Sequence, residues 1–187
     1  MNRTFKVLFL LCVCIFTSFC ACRDNKTDIL NTAHKIQEAA DMNLFFAQLS
    51  ETADEMLPKE LSPYPRYDYV KVKNYNKISQ IKEYVLSVYS ERVAEKYFFN
   101  LFEDEDAPYM IETDNGLYVW PYFDYGGVRA TYDVNSIEII QSNGKSATFK
   151  ISFYYDDLSD IQDCEIRLVK ENNKWVFDQL PYYDDLK

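Results

Sequence analysis

The chain has 187 residues and a formal net charge of −10, and it carries 16 Tyr and 13 Phe against 4 Gly and 6 Pro. That length accommodates one domain and a leader, and an apolar content of 48% supplies a core, which excludes a disordered chain. A surface of this sign repels phosphate backbones, which argues against nucleic acid as a partner.

Residues 1–22 read as a targeting segment: Arg3 and Lys6 form the basic start, and VLFLLCVCIF is an apolar stretch too short for an ordinary spanning helix. The segment closes with Phe19, Cys20, Ala21 and Cys22. A small residue before a cysteine resembles the lipobox of bacterial lipoproteins, which implies Cys22 as the acylated residue, with Cys20 the alternative. Phe19 stands where leucine is usual, so cleavage without a lipid stays open. The expected location is the extracytoplasmic face of the cell membrane, or the exterior if the chain is not acylated. Removing this leader makes the remainder more acidic still. Four of the five cysteines lie in it, so the rest of the chain keeps Cys164 and forms no internal disulfide framework. In DCEIRLV, Cys164 alternates with Ile166 and Leu168, which puts it on the buried face of a strand as a structural thiol.

From Asp24 a polar tether leads to a helix expected to start near Thr27, whose hydroxyl suits the cap. Ile29, Ala33, Ile36 and Ala40 mark one face, and Leu44, Phe45, Leu49, Ala53 and Met56 resume the spacing. Either one long helix or two broken near Asp41 reach Leu57, where Pro58 ends the run. His34, the only histidine, lies beside this stripe with no second histidine or cysteine near it in sequence, so a solvated or packing role is expected rather than a ligand or base. The Pro-rich stretch 58–66 reads as a linker.

Asp68, Val70 and Val72 alternate with Tyr67, Tyr69 and Lys71 as a half-buried strand does. Ile78, Ile81, Val85 and Val88 then follow at helical spacing. Ser90 interrupts that helix and suits the cap of another, whose apolar face is Val93, Ala94, Tyr97, Phe98 and Leu101. The acidic run Glu103 to Asp106 lacks the spacing and glycine of an EF-hand and reads as a solvated loop, as does the stretch with Asp156, Asp157, Asp160 and Asp163. No metal or other cofactor is expected, because neither HExxH, a P-loop nor GxSxG is present.

Residues 109–127, YMIETDNGLYVWPYFDYGG, read as a hairpin that turns at Asp114, Asn115 and Gly116 and runs past Trp120 and Pro121 into a loop. Trp120, Tyr122, Phe123 and Tyr125 make that loop a candidate protein-binding surface, with Glu103 and Asp104 as nearby acids, since such rings bring much contact area for little lost rotamer freedom. A loop folded back over the core is the other reading. The C-terminal third reads as a meander of four strands, SIEIIQS, SATFKISFYY, CEIRLVK and KWVFDQL. The expected core includes Ile81, Val85, Leu117, Val119, Ile151, Ile166, Leu168 and Trp175.

Helices first and a meander afterwards predict an α+β domain in which N-terminal helices and a helical hairpin pack on a curved antiparallel sheet, the outline of cystatin-like and nuclear-transport-factor-like domains. The succession YDYVKV, ISQIKEYVLSVYSERVAEKYF, NGLYV, IEIIQSNGKSATFKISF and IRLVKENNKWVFDQLPYY resembles the secreted bacterial family of DL-endopeptidase inhibitors. The resemblance covers about residues 65–187 and divides the chain into a leader (1–22), a tether with the N-terminal helix (23–64) and an inhibitor-like domain (65–187). It implies a protein outside the membrane that binds the catalytic domain of a peptidoglycan-cleaving cysteine peptidase and has no catalysis of its own. It carries over no individual inhibitory residue. The alternatives from other classes are a nuclear-transport-factor-like module for a small ligand or glycan, and a hydrolase, for which the required nucleophile, base and orienter are not grouped.

Metabolic labelling with a lipid precursor is expected to mark the wild type and not Cys22→Ser. Label that persists in that variant and disappears in Cys20→Ser would move the anchor to Cys20.

Overall fold

The computed structural model describes residues 25–51, 55–104, 106, 108–121, 130–155 and 160–181. They form an α+β structure with two antiparallel sheets. Three helices open it: α1 over 25–33, α2 at Ile36–Ala40 and α3 at Met42–Glu51. The breaks fall at 34–35 and at Asp41, so His34 is an exposed turn residue. Residue 25 is already helical, which places Thr27 inside α1 rather than at its cap. Ile29, Ala33, Ile36, Ala39, Met42, Phe46 and Leu49 are the buried residues of these helices, whereas Leu44 is 39% exposed and Phe45 only half-buried. The break at Asp41 resets the helical phase, so the stripe expected through Leu44 and Phe45 moves to Met42 and Phe46. Ala53 lies outside the described residues, and Met56 is exposed.

The smaller sheet contains β1 (Val70–Lys71), β2 (Met110–Thr113) and β3 (Gly116–Val119), with β3 in the middle. The β2–β3 hairpin turns where expected: Gly116 has φ +128°, a value open to glycine alone. Both faces of β3 are buried. Leu117 and Val119 join the main core, while Tyr118 joins a second cluster with Leu57, Tyr69 and Ile111. The stretch read as a linker therefore has a packing role. It carries a short 3-10 turn at Lys59–Leu61 and lays Tyr64 and Tyr67 against that second cluster.

Between β1 and β2 run α4 (Ile78–Val88), α5 (Glu91–Ala94), a π-helical turn (Glu95–Phe99) and α6 (Asn100–Glu103). The first amides of α4 are satisfied by side chains: Glu112 accepts from Ile78 N at 3.0 Å, and Gln80 accepts from Lys77 N at 3.1 Å. The π turn inserts an extra residue per turn. The buried face consequently passes from Val93 and Ala94 to Phe98 and Phe102, and Tyr97 and Leu101 are only partly buried.

The larger sheet has the order β4 (Ala130–Ser142), β5 (Ser146–Tyr155), β6 (Gln162–Glu171), β7 (Lys174–Phe177). It is the meander expected, with β4 reaching further back than SIEIIQS and carrying two register shifts. All eight core residues named from the sequence are buried, Trp175 the least so at 5% exposure. Cys164 lies on the expected face but is half-buried. Both edges of the sheet are covered in part. At β4, the Gln37 side chain donates to Ala130 O at 3.1 Å and accepts from Tyr132 N at 3.2 Å, completing backbone hydrogen bonds as a strand would. At β7, Tyr89 bridges Phe177, and Ser90 N donates to Phe177 O at 2.9 Å.

That last contact belongs to a larger knot. Asp178 is 7% exposed. It accepts from the wholly buried Ser90 hydroxyl at 2.7 Å and from Arg92 Nε at 3.2 Å, and Arg167 Nε lies 3.4 Å from its other oxygen. Arg92 also donates to the Asp178 carbonyl. Ser90 meanwhile caps α5 by accepting from Val93 N at 3.4 Å, the capping role expected of it. Asp178→Ala removes the carboxylate from a buried hydroxyl and two guanidinium groups, leaving Arg92 only the backbone carbonyl, and is expected to cost about 2–3 kcal/mol, read as a lower urea midpoint. A midpoint equal to the wild type's would show that the knot contributes nothing.

Alkali should find a second weak point. Tyr109 donates to Phe46 O at 2.7 Å and Tyr69 to Pro108 O at 2.7 Å. Burial pushes both phenols up, Tyr69 from 10.0 to about 12, with help from Tyr64, Tyr67 and the charge of Asp104. A folded-state value above the unfolded one stabilises the fold fully below pH 10 and ceases to do so as the pH rises through about 12. Urea midpoints are therefore expected to fall across that window, and less steeply in Tyr69→Phe/Tyr109→Phe. An unchanged slope would defeat the assignment.

Candidate functional site

The exit of β3 meets the Pro-rich segment at one corner of the smaller sheet. Trp120 N donates to Tyr109 O at 2.9 Å, and Tyr109 N donates to Leu101 O at 2.8 Å, so the indole's backbone is tied through the hairpin to the end of the α5–α6 helix. Its ring meets Tyr67 edge-on at 5.5 Å and 70°, and Tyr67 meets Tyr69 at 6.5 Å and 73°. Trp120 is half-buried and touches both clusters. It therefore packs on the core and keeps part of its surface outside it.

The two acids assigned to this surface part company. Glu103 pairs with Lys82 at 2.9 Å, on α4, where the same ammonium lies 4.9 Å from the centre of the Phe99 ring. The Tyr69 hydroxyl is raised by burial, then by Tyr64 and Tyr67, and last by the charge of Asp104. The Asp104 carboxylate also accepts from Asp106 N at 2.9 Å, which closes the acidic loop on itself. The structure thus packs Trp120 on the cluster that contains Tyr69 and pairs Glu103 with Lys82 on α4. Tyr122, Phe123, Tyr125 and the anchor candidates Cys20 and Cys22 lie outside the described residues.

The residues that the sequence reading missed are Tyr64, Tyr67 and Tyr69. Their signal was present as three tyrosines within six positions beside Pro63 and Pro65, a density that a plain linker does not need. Just before these tyrosines in sequence, Met56 is 58% and Leu61 57% exposed.

The arrangement offers rings and a carboxylate for binding. His34 is exposed in the α1–α2 turn, and Cys164 sits on β6 opposite Ile151. Among the described residues no three His, Cys, Asp or Glu side chains are grouped to hold a metal ion. In that same set no helix is long and apolar enough to cross a membrane. The chain matches no family model, and no curated protein matches it in sequence.

Proposed function

We propose that this is an exported protein, lipid-anchored through Cys22, that binds and inhibits peptidoglycan DL-endopeptidases at the cell wall and has no catalysis of its own. The observation that carries the reading is the aromatic corner. Trp120, Tyr67 and Tyr64 are held half-buried against the second cluster, and the sequence runs on from Trp120 to Tyr122, Phe123 and Tyr125. Rings supported from beneath by a second cluster give a binding partner rigid apolar area, and a chain of net charge −10 adds steering toward a basic enzyme. Helices followed by an antiparallel meander also support the order of elements on which the resemblance to the inhibitor family rests.

A nuclear-transport-factor-like or cystatin-like outline suggests a second reading, a ligand held between helices and sheet. The inner face of the larger sheet speaks against it. Phe149, Ile151, Leu168 and Phe177 are at most 1% exposed there, and Phe177 packs its ring on Tyr89 at 6.3 Å, so side chains occupy that space.

The mature chain is expected to inhibit the purified catalytic domain of a cell-wall DL-endopeptidase. Tyr122→Ala/Phe123→Ala should weaken inhibition at least about tenfold, ~1.4 kcal/mol, with an unchanged melting temperature, and added salt should slow association. Failure to bind any such enzyme overturns the function. Equal potency of the double variant keeps the function and moves the site to Trp120, Tyr67 and Asp104.

A further inference from the structure

The two hairpin turns at one end of the larger sheet face each other. Lys170 N donates to Lys145 O at 2.8 Å, which brings the β4–β5 turn beside the β6–β7 turn. Between them lies a shallow, open depression lined by Gly144, Lys145, Lys170, Asn172 and Asn173. Asn172 and Asn173 hold φ of 47° and 63°, and Gly144 holds 82°, so the backbone of each turn is set by residues that tolerate the left-handed region.

What makes this groove unusual is its charge. The protein as a whole is strongly acidic, yet the described residues that line the groove include two lysines and no acid. The one acid at the turn, Glu171, is engaged elsewhere: its carboxylate accepts from Glu91 N at 3.1 Å, at the start of α5. Neither Lys145 nor Lys170 forms an ion pair among the described residues. Lys170 stands 5.9 Å from the centre of the Trp175 ring, a contact that limits its rotamers. Asn143 is occupied within its own turn, accepting from Lys145 N at 3.1 Å and Ser146 N at 2.9 Å. Asn172 and Asn173 are exposed at the groove, where each carboxamide offers both a donor and an acceptor. A Cβ placed on Gly144 would meet nothing within 4 Å, so this side of the groove is open for entry.

We propose that this groove binds a carboxylated sugar, with the carboxylate between Lys145 and Lys170 and the ring hydroxyls on the carboxamides of Asn172 and Asn173. Two ammonium groups suit one carboxylate, whereas an apolar peptide side chain would find no complementary wall. Hydroxyl groups, which both donate and accept, match carboxamides. The groove lies on β-turns of the larger sheet, apart from the aromatic corner on the smaller one, so this inference stands independently of the inhibitory reading.

The test is an NMR titration of the ¹⁵N-labelled mature chain with trigalacturonic acid, with maltotriose and inorganic phosphate as parallel arms. Saturable amide shifts confined to Gly144, Lys145, Lys170, Asn172 and Asn173 are expected with the acidic trimer, and at least tenfold weaker binding with each of the other two. Lys145→Ser/Lys170→Ser should weaken binding at least tenfold. Lys145→Ser alone, on an exposed turn away from Trp175, should do so severalfold at an unchanged melting temperature. The absence of saturable shifts at the two turns, equal shifts with maltotriose, or wild-type titration of both variants overturns the site. Equal saturation by phosphate overturns its assignment to a sugar acid.

Discussion

The step from Tyr89 to Ser90 holds the helices to the larger sheet, and much of the architecture depends on it. Within two residues the chain leaves α4, spans from Ala39 of α2 to the edge of β7, and starts α5. The Tyr89 hydroxyl donates to Ala39 O at 2.6 Å, and its ring packs on Phe98 at 5.2 Å and on Phe177 at 6.3 Å. Ser90 then places both of its polar groups in buried partners. A buried carboxylate such as Asp178 is tolerable only because its oxygens are shared among a hydroxyl and two guanidinium groups. The arginines reach it from the solvent side, each with more than half of its side chain exposed. That exposure lowers the desolvation cost, and it keeps the carboxylate committed to one geometry.

The smaller sheet presents the opposite situation, a sheet with no polar face. Because β3 buries Leu117 and Val119 on one side and Tyr118 on the other, something must cover the second side, and the Pro-rich segment does so. Proline suits this duty. It fixes φ and asks for no donor partner in a covering segment built of turns with no strand beside it. The consequence reaches the surface: rings needed to cover Tyr118 and Ile111 also protrude as Tyr64 and Tyr67, and Trp120 bridges the two clusters. Packing and contact area are here the same residues.

Edges and ends divide the chain's polar chemistry. Gln37 closes the start of β4 with a side-chain amide in place of a strand, and the register shifts further along β4 twist the remaining edge away from regular pairing. At the outer surface Lys150 and Asp163 pair at 2.6 Å across β5 and β6. At the turn end, by contrast, Glu171 accepts from Glu91 N of α5, and Lys145 and Lys170 form no ion pair among the described residues.

The sequence by itself determined the periodic elements. Ile81, Val85 and Val88 declared α4, Leu168, Trp175 and Phe177 declared the terminal hairpin, and Asn115–Gly116 and Asn143–Gly144 declared two turns, because spacing and turn chemistry act locally. It also marked Ser90 as a cap and Trp120 as a residue at a boundary. Only tertiary structure decided the rest, since each missed feature needs a partner distant in sequence. The π turn that exchanges Leu101 for Phe102 is selected by the fit against Phe46. The segment 58–66 becomes a cover because β3 is hydrophobic on both sides, and Glu103 separates from Asp104 because Lys82 is near one and Tyr69 near the other. Asp178 reads in isolation as one more surface acid among thirty. Its burial is set by Ser90 and Arg92, more than eighty positions away, which no local pattern encodes.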